Sequence, residues 1–176
     1  MYVLASENRS LRATELVEEI VAWVDDYPIV SIEDALGEDD DAGWRYATTR
    51  LADRIQLLGD DVFVTSTARL QAGIREGIAN AVLVKPNQVG TLSDARRVVE
   101  IARESGYATV LSARSGETED SWLADLAVGW RTGQLKVGST TRSERTAKWN
   151  RLLRIESEHP DATFAGRTVL APFVRS

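Results

Sequence analysis

The sequence predicts an α/β fold of parallel βα repeats, about five units long. Three observations carry that expectation. Short apolar runs recur at 29–32, 55–58, 81–84, 108–111 and 134–137. Segments with apolar residues at helical spacing fill the intervals between them. Charged or polar residues stand at the ends of most runs. Alternating strand and helix implies right-handed βαβ crossovers and a parallel sheet.

The elements follow in order. Leu16, Val17, Ile20, Val21 and Val24 repeat at helical spacing, so residues 1–26 supply a short leading strand and a helix. Ile29-Val30-Ser31-Ile32 is the first strand of the repeats. Trp44, Ala47, Leu51 and Ile55 form the next stripe, although Ile55 also fits the strand Ile55-Gln56-Leu57-Leu58. Leu70, Ile74 and Ile78 mark a helix ahead of the run Ala81-Val82-Leu83-Val84. Thr91, with Asp94 three residues on, suits a capped helix start. Leu92, Ala95, Val98 and Val99 carry that helix to Ala108-Thr109-Val110-Leu111. Trp122, Leu123, Leu126 and Val128 form another, ended by Gly129 and Gly133 before Gln134-Leu135-Lys136-Val137. A last helix runs from Ser143 through Ile155, with Pro160 just beyond to stop it. The first, third and fourth runs are near-continuous in β-formers, as in parallel strands covered on both faces. The expected organisation is a single domain over 1–176, with βα units in 27–158 and a tail in 159–176.

Composition bounds the function. Hydrophobic residues are 43% of the chain, enough for a packed core, and the formal net charge is −6. No Lys/Arg block stands out, which argues against a nucleic-acid groove, since phosphate contacts need clustered cations. The absence of cysteine excludes disulfides and thiolate chemistry. No run reaches the roughly 20 apolar residues of a membrane span. The N-terminus carries no basic segment followed by an apolar one, so a secretory signal is not expected and the reading is cytoplasmic.

The polar residues at strand ends are the candidate site. Glu33 and Asp34 end the first run, Asp60 and Asp61 follow the second, and Lys85 ends the third. Arg114 and Ser115 end the fourth, and Lys136 lies in the fifth. In parallel barrels chemistry sits at the C-terminal ends of the strands. Glu33 and Asp60 are hard oxygen ligands suited to Mg²⁺. Burial and a like charge from Lys136 would favour Lys85 as a proton acceptor. Arg114 and Ser115 offer a planar donor fork and a hydroxyl to an anion. A lysine within a buried strand must face a pocket or an acid, because an unpaired buried ammonium is costly. The set suits removal of a proton α to a carboxylate while metal ions hold the resulting charge. The only histidine, His159, beside Pro160, reads as a surface residue.

Several of these stretches resemble the enolase family. They are Tyr27-Pro28-Ile29-Val30-Ser31-Ile32-Glu33-Asp34, Gly59-Asp60-Asp61, Val84-Lys85-Pro86-Asn87-Gln88-Val89-Gly90, Arg114-Ser115-Gly116-Glu117-Thr118-Glu119-Asp120, Gly133-Gln134-Leu135-Lys136-Val137-Gly138 and Arg142-Ser143-Glu144-Arg145. The resemblance runs from Tyr2 to about Gly166. It implies a partial TIM barrel of enolase type and a lyase, phosphopyruvate hydratase, that interconverts 2-phosphoglycerate and phosphoenolpyruvate with Mg²⁺ in glycolysis. It further implies that Lys85 is the base, that Glu33 and Asp60 are metal ligands, that Arg114 and Ser115 hold the phosphate, and that Lys136 meets the substrate carboxylate. Asp61, Asn87 and Gln88 then serve as local support.

Relative to the family, the sequence starts beyond the N-terminal domain and the first barrel strands. One metal carboxylate, the acid for the leaving hydroxyl, and the closing loops are therefore expected elsewhere. Of the family's two active-site histidines, the upstream one lies ahead of this sequence and the downstream one is Ala113 here, and Ala35 replaces a usual proline or glycine. Five strands are too few to close an eight-stranded barrel, and open edges invite pairing. The expectation is a homo-oligomer, a complementing N-terminal half, or rearrangement to an open sheet. Alternative functions are an enolase-like enzyme for a phosphonate or carboxyphospho analogue, with room made by Ala113, and a catalytically inactive fragment.

Overall fold

The computed structural model describes residues 1–173. The last three residues of the expected tail lie outside them. Strands β1 (Tyr2–Leu4) and β2 (Arg9–Leu11) pair antiparallel, closed by a 3₁₀ turn that leads into Asn8 at φ 51°. The single leading strand expected here is thus a hairpin. Strands of three residues are too short to register as an alternating pattern. Helix α1 (Ala13–Asp26) follows. The Arg12 backbone N–H donates to the Glu15 carboxylate at 2.8 Å, and Val17, Ile20 and Val21 face the core.

Five parallel strands, β3 (Ser31–Glu33), β4 (Gln56–Gly59), β5 (Ala81–Val84), β6 (Ala108–Ser112) and β7 (Gly133–Lys136), lie side by side in chain order. Helices α2 (Asp41–Leu51), α3 (Thr67–Glu76), α4 (Pro86–Val89), α5 (Leu92–Glu104), α6 (Trp122–Gly129) and α7 (Ser143–Glu158) connect or follow them. Helix starts and stops match the sequence signals where the cap chemistry is local. Thr91 Oγ1 accepts the Asp94 N–H at 3.1 Å, and α7 stops two residues before Pro160. Ile55 belongs to neither α2 nor β4 but is fully buried between them. The single turn α4 escaped the sequence reading because four residues show no periodicity.

The two faces of the sheet differ. Leu57, Val82, Val84 and Leu111 face the helices and join the main core. Leu58, Ala81, Leu83 and Val110 form a separate small apolar layer on the other, concave face. In a flat sheet, four spacings of ~4.8 Å would hold β3 and β7 about 19 Å apart. Instead Lys136 Nζ of β7 donates to both Glu33 carboxylate oxygens of β3, at 2.5 and 2.7 Å. The side-chain amides of Gln56 and Gln134 also exchange hydrogen bonds of 2.7 and 3.2 Å between β4 and β7. The sheet is therefore rolled into a half-barrel and has not opened flat. β3 was expected to be covered on both faces. It is an edge strand, and Ser31 and Glu33 are exposed because no facing layer covers them. The tail turns through a 3₁₀ segment (Gly166–Leu170), and Phe173 is buried.

Candidate active site

Parallel register carries the strand ends to one mouth. Val84 pairs with Leu111 and Ser112 with Lys136, so Lys85 and the 113–115 loop emerge as neighbours. A cleft of about 400 Å³ opens there. Lys85, Arg114, Lys136, Arg142 and Arg145 line it, with Ser112, Ala113, Ser115 and Ser139 between them. No carboxylate belongs to that lining, although Asp60, Glu33 and Glu144 pair with Lys85, Lys136 and Arg142 from beside it, so Arg114 is the cation most open to an anionic ligand.

Lys85 is the first residue after β5. Its backbone N–H donates to Thr65 Oγ1 at 2.9 Å, and the Thr65 hydroxyl donates to Gln88 Oε1 at 2.6 Å. Thr65 is fully buried, and both Val64 and Thr65 adopt positive φ, at 44° and 57°. β-branched residues rarely adopt that conformation, and such backbone clusters near functional sites. Gln88 thus gives Lys85 local support, as expected, and it does so through Thr65, a residue no sequence signal singled out. The Lys85 ammonium makes an ion pair with Asp60, and both side chains are largely buried.

Asp60 is the most constrained carboxylate of the mouth. Its backbone N–H and that of Asp61 donate to the two oxygens of Asp34, at 2.9 and 3.0 Å. Asp34, Asp60 and Asp61 each bring a carboxylate oxygen within 4.8 Å of the others. Asp60 Oδ2 takes Lys85, whereas Oδ1 is buried with no hydrogen-bond partner. A buried carboxylate oxygen without a donor is costly unless something else coordinates it. Together with an all-oxygen donor set, that orphan atom fits a hard divalent cation such as Mg²⁺.

Of the two expected metal carboxylates, only Asp60 belongs to this close group. Glu33 is held by Lys136 across the mouth, and Asp34 takes the place beside Asp60 because its φ of 44° turns it back toward the β4 loop. Lys136 does face an acid and the cleft, as expected. It is not buried, however: its side chain is 47% exposed, because β7 is an edge strand.

Arg114 and Ser115 sit on the loop after β6. The Arg114 backbone N–H donates to Glu117 Oε1 at 2.8 Å. Among the described residues, neither the Arg114 guanidinium nor the Ser115 hydroxyl has a protein partner, so both are available to a ligand. Ala113 lines the same cleft, its N–H donating to the Lys136 carbonyl at 2.9 Å. His159 is exposed beyond the end of α7, away from the mouth. The sequence reading assigned no role to Arg142 and Arg145. Their positions in the quoted Arg142–Arg145 stretch were the available signal.

A family model described as the C-terminal TIM barrel domain of enolase matches residues 2–173. The chain belongs to the enolase family. It is 53% identical to an enolase of Wolinella succinogenes over 169 residues, which are 96% of this chain and 40% of that protein. It is 54% identical to an enolase of Sulfurimonas denitrificans over 157 residues, 89% of this chain and 37% of that protein. The chain thus spans about two fifths of the length of these curated enolases. The half-barrel corresponds to the C-terminal part of the enolase barrel. No helix among the described residues is long and apolar enough to cross a membrane.

Proposed function

We propose that the mouth is the part of an enolase active site contributed by five of the barrel strands, acting on 2-phosphoglycerate and phosphoenolpyruvate in glycolysis, in the cytoplasm. The observation that carries this reading is the pairing of functions at one opening. A buried, partnerless carboxylate oxygen on Asp60 sits beside Lys85, and a cation-lined cleft adjoins both. Arg114 and Ser115 hold the phosphate, Lys136 orients the carboxylate, and Lys85 removes the proton at C2. Asp60, beside Asp34 and Asp61, would hold Mg²⁺, with Glu33 joining it on release from Lys136; the ion would supply positive charge where negative charge develops on the substrate carboxylate. The other strands of an enolase barrel would close the site and supply the acid for the leaving hydroxyl.

The test is Mg²⁺-dependent formation of phosphoenolpyruvate from 2-phosphoglycerate by the chain together with the other strands of an enolase barrel. Turnover lost on Lys85→Ala supports the reading. Full turnover in that variant would end it. One observation favours a second substrate: the methyl group of Ala113 lines the cleft next to Arg114 and leaves space there. A bulkier phosphonate or carboxyphospho acid fits that space. Higher activity on such an analogue, reduced by Ala113→His, would select it over 2-phosphoglycerate.

A further inference from the structure

We propose that Arg145 and Lys148 of α7 are positioning residues that fix the geometry of the 114–118 loop, so that Arg114 and Ser115 present their donors to the cleft. The two cations lie three residues apart and share one face of the helix. Arg145 Nη1 donates to the Arg114 carbonyl at 2.8 Å and to the Val137 carbonyl at 3.0 Å. Nη2 donates to the Ser115 carbonyl at 2.8 Å. One planar fork therefore ties the loop after β6 to the end of β7, the strand that carries Lys136. Lys148 has no exposed side-chain surface. Its ammonium donates to the Thr118 carbonyl at 2.6 Å and meets the Glu117 carboxylate at 3.0 Å. The other oxygen of that carboxylate accepts the Arg114 N–H at 2.8 Å. Arg114 is thus held on both sides, its N–H by a glutamate anchored on Lys148 and its carbonyl by Arg145.

The consequence for an anion follows from peptide geometry. In a trans peptide the C=O and the next N–H point in opposite directions. Drawing the carbonyls of Arg114 and Ser115 onto Arg145 turns the N–H groups of Ser115 and Gly116 the other way. Neither of those N–H groups has a protein acceptor among the described residues. The carbonyl dipoles that would repel an anion are neutralised on Arg145, and free donors remain. Arg145 lines the cleft, but its fork is committed to carbonyls, so its contribution is geometry. A lysine buried without need is expensive, and an apolar residue of similar length would pack as well. The ammonium is accounted for by what it holds.

This inference rests on reading the cleft as the phosphate site, so two readouts keep the two apart. Amide hydrogen exchange over 114–118 reports on the loop itself. Titration calorimetry with phosphoenolpyruvate and Mg²⁺ reports on anion binding, with Arg114→Gln as the control. Arg145→Ala and Lys148→Met should speed exchange of the Arg114 amide by about tenfold or more and weaken phosphoenolpyruvate by about tenfold. Arg145→Lys keeps the charge and most of the packing but loses the fork, and it should behave like Arg145→Ala. Methylguanidinium at tens of millimolar should restore Arg145→Ala, and methylammonium should not. That selectivity separates positioning from mere support of the fold. Wild-type exchange rates in Arg145→Lys and Lys148→Met, or equal rescue by methylammonium, would overturn the proposal. If exchange rises as stated while the unsubstituted chain takes up no phosphoenolpyruvate, the positioning of the loop is supported and the phosphate reading fails.

Discussion

Asp60 does two jobs with one carboxylate. One oxygen neutralises Lys85, and the other is buried and without a partner. Removing a member of a largely buried pair leaves the other charge uncompensated, so Asp60→Ala should cost about 3–5 kcal/mol in urea denaturation. Asp60→Asn keeps the shape. A divalent ion that binds only the folded chain raises its melting temperature. Millimolar Mg²⁺ should therefore raise the melting temperature of the unsubstituted chain and leave Asp60→Asn unmoved. Tyr107 gives a second residue-scale prediction. Burial pushes its hydroxyl up to about 12, and that hydroxyl donates to the Ile78 carbonyl at 2.8 Å. The folded value lies above the unfolded value near 10, so the folded state holds the proton more tightly. The associated stability is complete below pH 10 and is lost as the pH rises toward 12. Denaturation midpoints should fall across that window, and Tyr107→Phe should flatten the fall.

The loop after β4 illustrates how an element is held in place. Phe63 is buried between two glycines. A Cβ on Gly59 would come within 2.6 Å of the Phe63 ring, and one on Gly73 of α3 within 2.5 Å. The ring thus wedges the Asp60–Asp61 segment between β4 and α3. Gly73→Ala should displace Phe63 and destabilise by about 1–3 kcal/mol in urea denaturation. Its larger effect should be loss of the Mg²⁺-dependent rise in melting temperature. The strands and long helices were legible in the sequence because apolar spacing and caps such as Thr91 are local signals. The β1–β2 hairpin and α4 were not, because three or four residues cannot establish a period. Nor was the exposure of β3 and β7. Val30 and Ile32 look like a covered strand, but a strand's cover depends on which neighbours exist.

At the scale of the whole molecule, the curvature of the sheet makes the site. Gln56 and Gln134 lock β4 to β7 on the concave side, and Glu33 and Lys136 lock β3 to β7 at the mouth. These contacts join residues 78 and 103 positions apart, beyond the reach of any motif. The convergence of Lys85, Arg114, Ser115 and Lys136 was legible because each ends or adjoins a strand of a parallel sheet. The role of Asp34 was not, because a backbone φ decides where it points. β3 and β7 each pair on one side only among the described residues, so the half-barrel has two open edges. Unpaired edges promote association. Light scattering should find the 176-residue chain larger than a 19.4 kDa monomer. The central claim is that one mouth joins a Mg²⁺ carboxylate to a phosphate-binding loop. Titration of phosphoenolpyruvate into the chain tests it most directly, with and without Mg²⁺, beside Arg114→Gln and Asp60→Asn. Saturable, Mg²⁺-dependent binding that both substitutions abolish is expected; binding indifferent to Mg²⁺ and to either substitution would rule out a shared mouth.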